Sequence, residues 1–259
     1  MITVLTATYN REKYLPRLYE SLKNQSSKNL DWIVIDDGST DSTEELLNRY
    51  ILEKKISIVY KKQKNSGKMK AVNTGVKISK GEYIFIVDSD DFLTQDAIES
   101  IEAYDKKLPK NFGGMVFRKF NISGQDFGKF PQEILDSNPI EAFYKKKILG
   151  DKAEVFKRKI LEENPFPEIE NEKFIPEGLI WNRIGKNYFL RYIDKIIYKF
   201  EYIEDGYTNN FNKILKKNPN GFKLYYREMI FYPIPLMNKL KFFIRYLQAS
   251  YYSKFGGLK

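Results

Sequence analysis

The sequence predicts an α/β fold with a central, mostly parallel sheet, followed by a basic, aromatic and helical C-terminal extension. Over residues 1–105, short apolar segments alternate with segments of helical periodicity, which is the pattern of parallel strands joined by crossover helices. Polar residues follow the apolar segments, at the strand ends where open α/β sheets bind their ligands. After residue 105 this alternation stops, and from residue 220 basic and aromatic residues are interspersed.

The first two strands are predicted at residues 2–8 and 31–37, which are rich in apolar and β-branched residues. A helix follows the first strand because apolar residues recur there at helical spacing, namely Leu15, Leu18, Tyr19 and Leu22. Either Ser39 or Asp41 can cap the second helix, which carries Leu46 and Leu47.

A third strand is predicted at residues 56–60, and the polar loop 64–68 leads into a helix through residue 78. The fourth strand, residues 83–87, follows Gly81 and ends at the acidic segment 88–91. An apolar run bounded in this way is typical of a strand buried on both faces. Its acids therefore lie where a parallel sheet holds a ligand.

The elements after residue 105 are less regular. Asn138 and Pro139 predict the start of a helix with Glu141 in its first turn. Residues 150–156 fit either a strand or a helix, and a helix is expected to begin within residues 174–184. The remaining predictions are a strand at residues 112–120 and one or two strands at residues 192–202.

The chain contains no cysteine and no histidine, and both absences limit its chemistry. Without cysteine there are no disulfides, thiolate nucleophiles or sulfur-ligated metals. Without histidine, a general base must be a carboxylate or, less commonly, a lysine or tyrosine. Any metal site must use oxygen ligands, which favours Mg²⁺ or Mn²⁺ over zinc.

Asp88 and Asp90 are two residues apart, and two carboxylates this close repel each other unless a cation lies between them. A divalent metal is the usual cation at such a site. The alternative is that these acids are solvated loop residues, with Asp91 capping the next helix.

The net charge of +10 predicts an anionic partner such as a nucleotide, a nucleic acid, a phospholipid surface or an acidic glycan, although a biased amino-acid usage would also produce it. The N-terminus lacks the features of a signal peptide, and no apolar run approaches the roughly 18 residues of a membrane span. We therefore expect a cytoplasmic protein, either soluble or peripheral on the inner face of the cell membrane.

Four segments lie at the predicted strand and helix ends, and as a set they are more specific to one protein family than any one of them is. They are Thr8-Tyr9-Asn10-Arg11, Asp36-Asp37-Gly38-Ser39-Thr40-Asp41, Gly67-Lys68 with Ala71-Val72-Asn73, and Asp88-Ser89-Asp90-Asp91. Over about residues 1–205 the chain resembles a family 2 glycosyltransferase of the GT-A type, whose DxD motif matches the last segment. The resemblance implies a nucleotide-sugar donor, most simply a UDP-sugar, and inversion at the anomeric carbon.

The resemblance also implies the donor site. Tyr9 offers a ring to stack on uracil, and Asp37 can accept the N–H of that base; the alternative for Tyr9 is core packing. Arg11 and Lys68 are cations for the diphosphate, with Gly67 allowing close backbone approach; the alternative for Lys68 is a solvated loop lysine. The full set of implied nucleotide-binding residues is Thr8, Tyr9, Arg11, Asp37, Gly67, Lys68, Asp88 and Ser89.

In the same family pattern, Asp90 is the main ligand of a Mn²⁺ or Mg²⁺ ion, and Asp88 contacts the ribose or assists at the metal. Glu177 matches the catalytic base that follows a proline-rich segment. Some relatives carry two adjacent acids there, whereas this chain has Glu177-Gly178, so Glu172 stays an alternative base. A further alternative is that Glu177 is only a first-turn acid favoured by the helix dipole. Asp151 matches an acceptor-binding region.

We expect three regions: residues 1–105 bind the donor, residues 106–205 bind the acceptor and supply the base, and residues 206–259 form the extension. The extension can lie on an anionic membrane, which would bring a lipid-linked acceptor within reach, or it can pack or dimerise. Nucleic-acid binding is not expected because no recognition motif accompanies the charge. The expected partners are a UDP-sugar and a glycan or lipid-linked acceptor of bacterial surface polysaccharide assembly, with a homo-oligomer as a further possibility.

Two rival functions remain open from the sequence. A nucleotidyltransferase with a similar sheet would carry a glycine-rich, basic loop after its first strand, and Tyr9-Asn10-Arg11-Glu12 is not such a loop. A non-catalytic membrane- or glycan-binding module of the same fold would lack turnover.

Overall fold

A computed structural model describes residues 1–124, 128–201 and 211–255. Tyr202, at the end of the last predicted strand, and Lys259, in the basic extension, lie outside the described residues. Within the described part of the chain, no helix is both long and apolar enough to cross a membrane.

Four parallel strands form the N-terminal half of the sheet, in the order β3-β2-β1-β4. They are β1 (Ile2–Thr8), β2 (Leu30–Asp36), β3 (Ser57–Lys62) and β4 (Tyr83–Ile86). The helices around them are α1 (Leu15–Lys23), α2 (Thr43–Glu53), α3 (Lys68–Ile78) and α4 (Ala97–Asp105). The predicted alternation of strands and helices is therefore confirmed.

The second half continues the same sheet in a mixed arrangement, beginning with an antiparallel pairing next to β4. Its strands are β5 (Phe92–Leu93), β6 (Phe112–Asn121), β7 (Ile134–Ser137), β8 (Lys152–Lys157) and β9 (Phe189–Phe200). Its helices are α5 (Pro139–Tyr144), α6 (Arg158–Glu163) and α7 (Gly178–Ile184). Residues 150–156 thus contribute a strand, and residues 192–200 belong to one strand.

Side-chain alternation along the strands fills a separate core on each face of the sheet. Val4 and Trp32 pack among residues of α1, α2 and α4, whereas their neighbours Leu5 and Ile33 pack among residues of α3, α6 and α7. Successive residues of a strand point to opposite faces, so a strand covered on both faces must be apolar throughout. This is why the apolar runs identified the strands.

The extension is helical, as predicted, and comprises α8 (Phe211–Lys217), α9 (Pro219–Phe231) and α10 (Leu236–Phe255). Leu215, Phe222, Tyr226 and Ala249 bury a small apolar core between these helices. The start of α9 is attached to the rest of the protein by the buried Glu172, whose carboxylate accepts the backbone N–H groups of Asn220 and Gly221 at 2.7 Å each.

Two helix starts are resolved by the structure. Asn138 caps α5, since its Oδ1 accepts the N–H of Glu141 at 2.9 Å, as expected. At the start of α2, Asp41 accepts the N–H of Thr43 at 3.2 Å, whereas the hydroxyl of Ser39 accepts the N–H of Asn10 at 2.9 Å. Asp41 therefore contacts the helix start, and Ser39 serves the neighbouring loop.

Candidate active site

The loops that follow β1, β2 and β4 meet at one edge of the sheet, because parallel strands end on the same side. Backbone hydrogen bonds continue the strand pairing into these loops, from Asp37 N–H to the Thr8 carbonyl at 2.8 Å and from Val87 N–H to the Leu5 carbonyl at 3.0 Å. Three of the four sequence motifs are thereby brought together.

The loop after β1 is held by the loop after β2. Asn10 adopts a positive φ of 52°, and its side-chain oxygen accepts the N–H of Thr40 at 2.8 Å. Tyr9 is 46% exposed in this arrangement, so core packing does not account for it. Thr8 Oγ1 is buried and has no hydrogen-bond partner among the described residues, which is uncommon for a buried hydroxyl group. The guanidinium of Arg11 lies 5.5 Å from the ring centre of Tyr14.

Asp37 is buried and organises the loop between β3 and α3. Its Oδ1 accepts the N–H of Ser66 and the side-chain amide of Gln63, each at 2.9 Å, and its Oδ2 accepts the N–H of Gly67 at 2.7 Å. A carboxylate oxygen has two lone pairs, so Oδ2 can accept one more N–H, such as that of a nucleotide base. Gln63 could not be identified from the sequence, because its role depends on a contact with a residue 26 positions away.

Gly67 lies where the loop between β3 and α3 touches the second half of the chain. Its φ is +101°, and an added Cβ would lie 2.1 Å from the carbonyl oxygen of Lys173. Only glycine fits both the backbone conformation and this approach. The contact fixes the position at which α3 begins.

Lys68, the first residue of α3, connects two candidate site residues. Its Nζ lies 2.5 Å from Asp88 Oδ1 and 2.9 Å from Glu177 Oε1. Burial alone would lower the pKa of Lys68, but the two carboxylates raise it well above its usual value, so the ammonium stays charged. The side chain is 17% exposed, which contradicts the alternative of a solvated loop lysine.

The acidic turn after β4 is fixed by Tyr198 of β9. Its phenolic oxygen accepts the N–H of Asp88 at 3.0 Å and donates to Asp91 Oδ2 at 2.6 Å. Asp91 thus supports the turn, while α4 begins near Asp96, so the proposed helix-capping role of Asp91 is wrong. Burial, together with the nearby charge of Asp88, raises the pKa of Asp91 to about 7. Ser89 is buried in the same turn.

Asp88 and Asp90 have the character of ligands for a hard cation. Burial raises the pKa of Asp90, and the charge of Asp88 adds to this effect. Across residues 1–124, 128–201 and 211–255, no three carboxylates cluster closely enough to hold an ion by themselves. This donor set fits a Mg²⁺- or Mn²⁺-type ion that takes its other ligands from substrate phosphates and water.

A cavity of about 520 Å³ opens beside Asp88 and Glu177. Its polar wall includes Lys119, Asp151 and Glu154 from β6 and the region of β8, and its apolar wall comes mainly from aromatic side chains, including Trp181, Tyr192, Tyr225 and Phe242. Asp151 therefore lies in the same cavity as Glu177. Two of the aromatic residues belong to α9 and α10, so the extension forms part of this cavity.

Lys119 and Glu154 were missed by sequence reasoning. Lys119 Nζ lies 4.0 Å from the ring centre of Tyr198, and its positive charge acts on Asp88 and Asp91. Burial raises the pKa of Glu154 to about 7, although Lys119 and Lys152 oppose the shift. For Lys119 the available signal was a charged side chain in the largely buried strand β6, where an uncompensated charge is costly. Glu154 had no such signal, because charged and buried residues alternate in β8.

The two candidate bases differ in their surroundings. Glu177 lines the cavity and contacts Lys68, whereas the carboxylate of Glu172 is occupied by the start of α9. A Cβ at Gly178 would lie 3.5 Å from the ring of Tyr225, at ordinary van der Waals distance.

The mixed sheet with its acidic strand end has the GT-A fold, as its alignment with solved structures shows. The chain belongs to glycosyl transferase family 2, whose family model matches residues 3–163. The resemblance inferred from the four motifs is thus confirmed.

Among curated relatives, glycosyltransferase GlyA of Streptococcus pneumoniae is 31% identical over 209 residues, which are 80% of this chain and 27% of that protein. The poly(ribitol-phosphate) beta-N-acetylglucosaminyltransferase TarP of Staphylococcus aureus is 31% identical over 176 residues, or 63% of this chain and 50% of TarP. The chain therefore spans a quarter to a half of the length of these relatives.

Among solved structures, S. aureus TarS 1-349 in complex with UDP-GlcNAc aligns with a TM-score of 0.72 at 19% identity, covering 96% of this chain and 72% of that one. The mannosyltransferase PcManGT of Pyrobaculum calidifontis, in complex with GDP-Man and Mn²⁺, aligns with a TM-score of 0.63 at 18% identity, covering 97% and 69%. These alignments confirm the GT-A fold.

Proposed function

We propose that the protein transfers a sugar from a UDP-linked donor to a hydroxyl group of a glycan or lipid-linked acceptor, with inversion at the anomeric carbon. The observation that carries this proposal is the bridge formed by Lys68. One ammonium group contacts Asp88, in the donor motif, and Glu177, beside the cavity. A residue of the proposed donor site and the proposed base for the acceptor therefore meet at one ammonium group.

The donor is held by the loops after β1 and β2. The exposed ring of Tyr9 stacks on the base, the unpaired hydroxyl of Thr8 bonds it, and Asp37 accepts its N–H through Oδ2. Arg11 and Lys68 supply positive charge for the diphosphate, and Ser89 lies beside it. The complex of TarS with UDP-GlcNAc supports a uridine donor, although PcManGT was solved with GDP-Man.

Asp90, with Asp88, would hold a Mn²⁺ or Mg²⁺ ion. Such an ion, when bound, neutralises the charge of the departing nucleoside diphosphate. The PcManGT complex with Mn²⁺ supports this assignment. Lys68 keeps Asp88 ionised, because its ammonium, together with that of Lys119, outweighs burial and lowers the pKa of Asp88.

Glu177 acts as the base on the acceptor side. Its carboxylate takes the proton of the acceptor hydroxyl while that oxygen bonds to the anomeric carbon and the bond from that carbon to the diphosphate breaks. Attack opposite the leaving group inverts the anomeric centre. The contact with Lys68 holds the carboxylate at the cavity, where an acceptor bound near Asp151 can present its hydroxyl.

The biological setting is the assembly of bacterial surface polysaccharides. Its relatives support this setting, since they include TarP and the putative glycosyltransferase EpsH of Bacillus subtilis. The aromatic side chains of the cavity suit the apolar faces of sugar rings, and its charged residues suit their hydroxyl groups.

The experiment is a thermal-shift and product-release screen of UDP-, GDP- and CDP-sugars with and without Mn²⁺. We expect stabilisation and slow UDP release with a UDP-sugar plus Mn²⁺. A sugar 1-phosphate and a nucleoside triphosphate giving pyrophosphate would instead identify a nucleotidyltransferase. Binding without any release, even with added acceptor oligosaccharides, would favour a non-catalytic module.

A further inference from the structure

The outer face of helix α10 carries a continuous apolar stripe. Six residues of this stripe lie on one side of the helix and are 46–67% exposed: Met237, Leu240, Phe243, Ile244, Leu247 and Tyr251. Isolated exposed apolar residues are common, but a contiguous row of large ones marks an interaction surface. We refer to these six residues as the apolar stripe.

The opposite face of α10 already has a partner. Phe242 packs against Tyr226 of α9 with ring centres 5.9 Å apart, and Ala249 is fully buried in the core of the extension. Residues 242, 246 and 249 form this inner face, whereas residues 240, 244, 247 and 251 lie about half a turn away from it. The apolar stripe is therefore not needed to hold the extension together.

Basic residues flank the stripe and no acidic residue accompanies it. Helix α10 contains Lys239, Lys241, Arg245 and Lys254, and neither Asp nor Glu. Residues 211–255 contain nine Lys and Arg residues and a single acid, Glu228, which is paired with Arg183 at 2.6 Å. On the helical projection, Lys239 lies on one side of the stripe, and Lys241 and Arg245 lie on the other.

We propose that this face of α10 docks on a membrane surface of anionic lipid. An apolar strip bordered by cations buries its side chains at the boundary of headgroups and acyl chains, while Lys and Arg contact the lipid phosphates. Phe242, on the inner face of the same helix, lines the cavity beside Glu177. A docked α10 therefore places that cavity close to the lipid surface.

A second copy of the chain fits this face less well. The spacing of Met237, Leu240, Ile244 and Leu247 would also suit a pair of helices, but the charges beside the apolar seam influence which helices pair, and like charges there repel. Two copies of α10 would bring four cations against four cations without any acid. Anionic lipid supplies the opposite charge, and a second copy does not.

The test is co-sedimentation of the full chain with vesicles of phosphatidylcholine alone or with 30% phosphatidylglycerol. We expect binding to the anionic vesicles that weakens in 0.5 M NaCl, and little binding to the neutral ones. Ile244→Glu should lower anionic-vesicle binding at least about tenfold, because it places a charge in the buried strip. Leu52→Glu is the matched control, since Leu52 is an exposed leucine of helix α2 and should leave binding unchanged.

A charge variant tests the other half of the proposal. Lys239→Gln with Lys241→Gln should weaken binding by about fivefold for each cation removed. Lys55→Gln with Lys61→Gln removes the same charge elsewhere and should have a much smaller effect. The proposal is overturned if the wild-type chain stays in solution with anionic vesicles, or if Ile244→Glu and Leu52→Glu bind equally well. A wild-type dimer that Ile244→Glu converts to a monomer, without vesicle binding, would assign the face to a second copy.

Discussion

Lys68 and Glu177 form an ion pair, with Nζ and Oε1 2.9 Å apart, although 109 positions separate them in the chain. Each lies at the start of a helix, Lys68 at the first residue of α3 and Glu177 just before α7. Because the same ammonium also contacts Asp88, a change at any of these three residues alters the environment of the other two.

Glu177→Gln should lower the turnover rate about 10²- to 10⁴-fold, because the amide cannot take the acceptor proton. The affinity for UDP should stay within about threefold, since the amide oxygen can still face Lys68. Turnover with a defined acceptor and UDP titration calorimetry measure the two effects. Ordinary turnover would remove Glu177 from the role of base.

Glu172→Gln provides the contrast with Glu177→Gln. It weakens the carboxylate contacts at the start of α9, so we expect a loss of about 1–3 kcal/mol in the free energy of unfolding, with turnover near that of the wild type. Urea unfolding measures the free energy of unfolding, and the same transfer assay measures turnover. Loss of turnover with unchanged stability would favour Glu172 as the base.

Lys68→Met should weaken UDP binding by about tenfold or more, because it removes a charge-assisted contact to the diphosphate. Turnover should also fall, since Asp88 and Glu177 lose their shared cation. Lys70→Met is the matched control on the same helix. Unchanged UDP affinity in Lys68→Met would show that this lysine only holds the two carboxylates.

Asp90→Asn should reduce the gain in UDP affinity that Mn²⁺ provides, because a neutral amide is a poorer ligand for a hard cation. UDP titrations with Mn²⁺ and with EDTA measure that gain. Asp96→Asn is the control, since Asp96 pairs with Lys195. A gain equal to that of the wild type would discard Asp90 as a metal ligand.

Glu154→Gln should change the pH dependence of stability. Burial raises the pKa of Glu154 from 4.5 to about 7, so the folded state binds this proton more tightly than the unfolded chain. The contribution of Glu154 to stability is therefore present below about pH 4.5 and is lost as the pH rises towards 7 and above. Relative to wild type, Glu154→Gln should gain up to about 3 kcal/mol between pH 4.5 and pH 8. The free energy of unfolding measured at both pH values tests this, and Glu45→Gln, at an exposed acid of α2, is the control. Parallel pH profiles of that free energy for wild type and Glu154→Gln would contradict the prediction.

The parallel half of the fold could be predicted because its strands are buried on both faces and end in polar residues. Trp32 and Ile33 point to opposite cores, yet both are apolar. The resulting continuous apolar run is what identified β2 in the sequence. The second half was harder to predict. In its strand β8, buried and charged residues alternate. Whether residues 150–156 form a strand or a helix could not be decided without knowing that β4 and β6 pair with this segment.

At the site, local motifs identified residues but not their contacts. Asp37 was expected to face a base, and the structure adds that it holds the N–H groups of Ser66 and Gly67. The bridge of Lys68 joins segments whose proximity follows only from the folded sheet. Glu154 was not identified because one acid in a strand has no distinctive spacing.

The close approach of Gly67 to the carbonyl of Lys173 limits how this enzyme architecture can be recombined. Consider a hybrid protein that combines the N-terminal strands of one relative with the C-terminal segment of another. It would pack correctly only if a glycine stood opposite the backbone carbonyl at this contact. Sequence exchange within the fold should therefore preserve that meeting point, even where nucleotide and acceptor preferences are swapped.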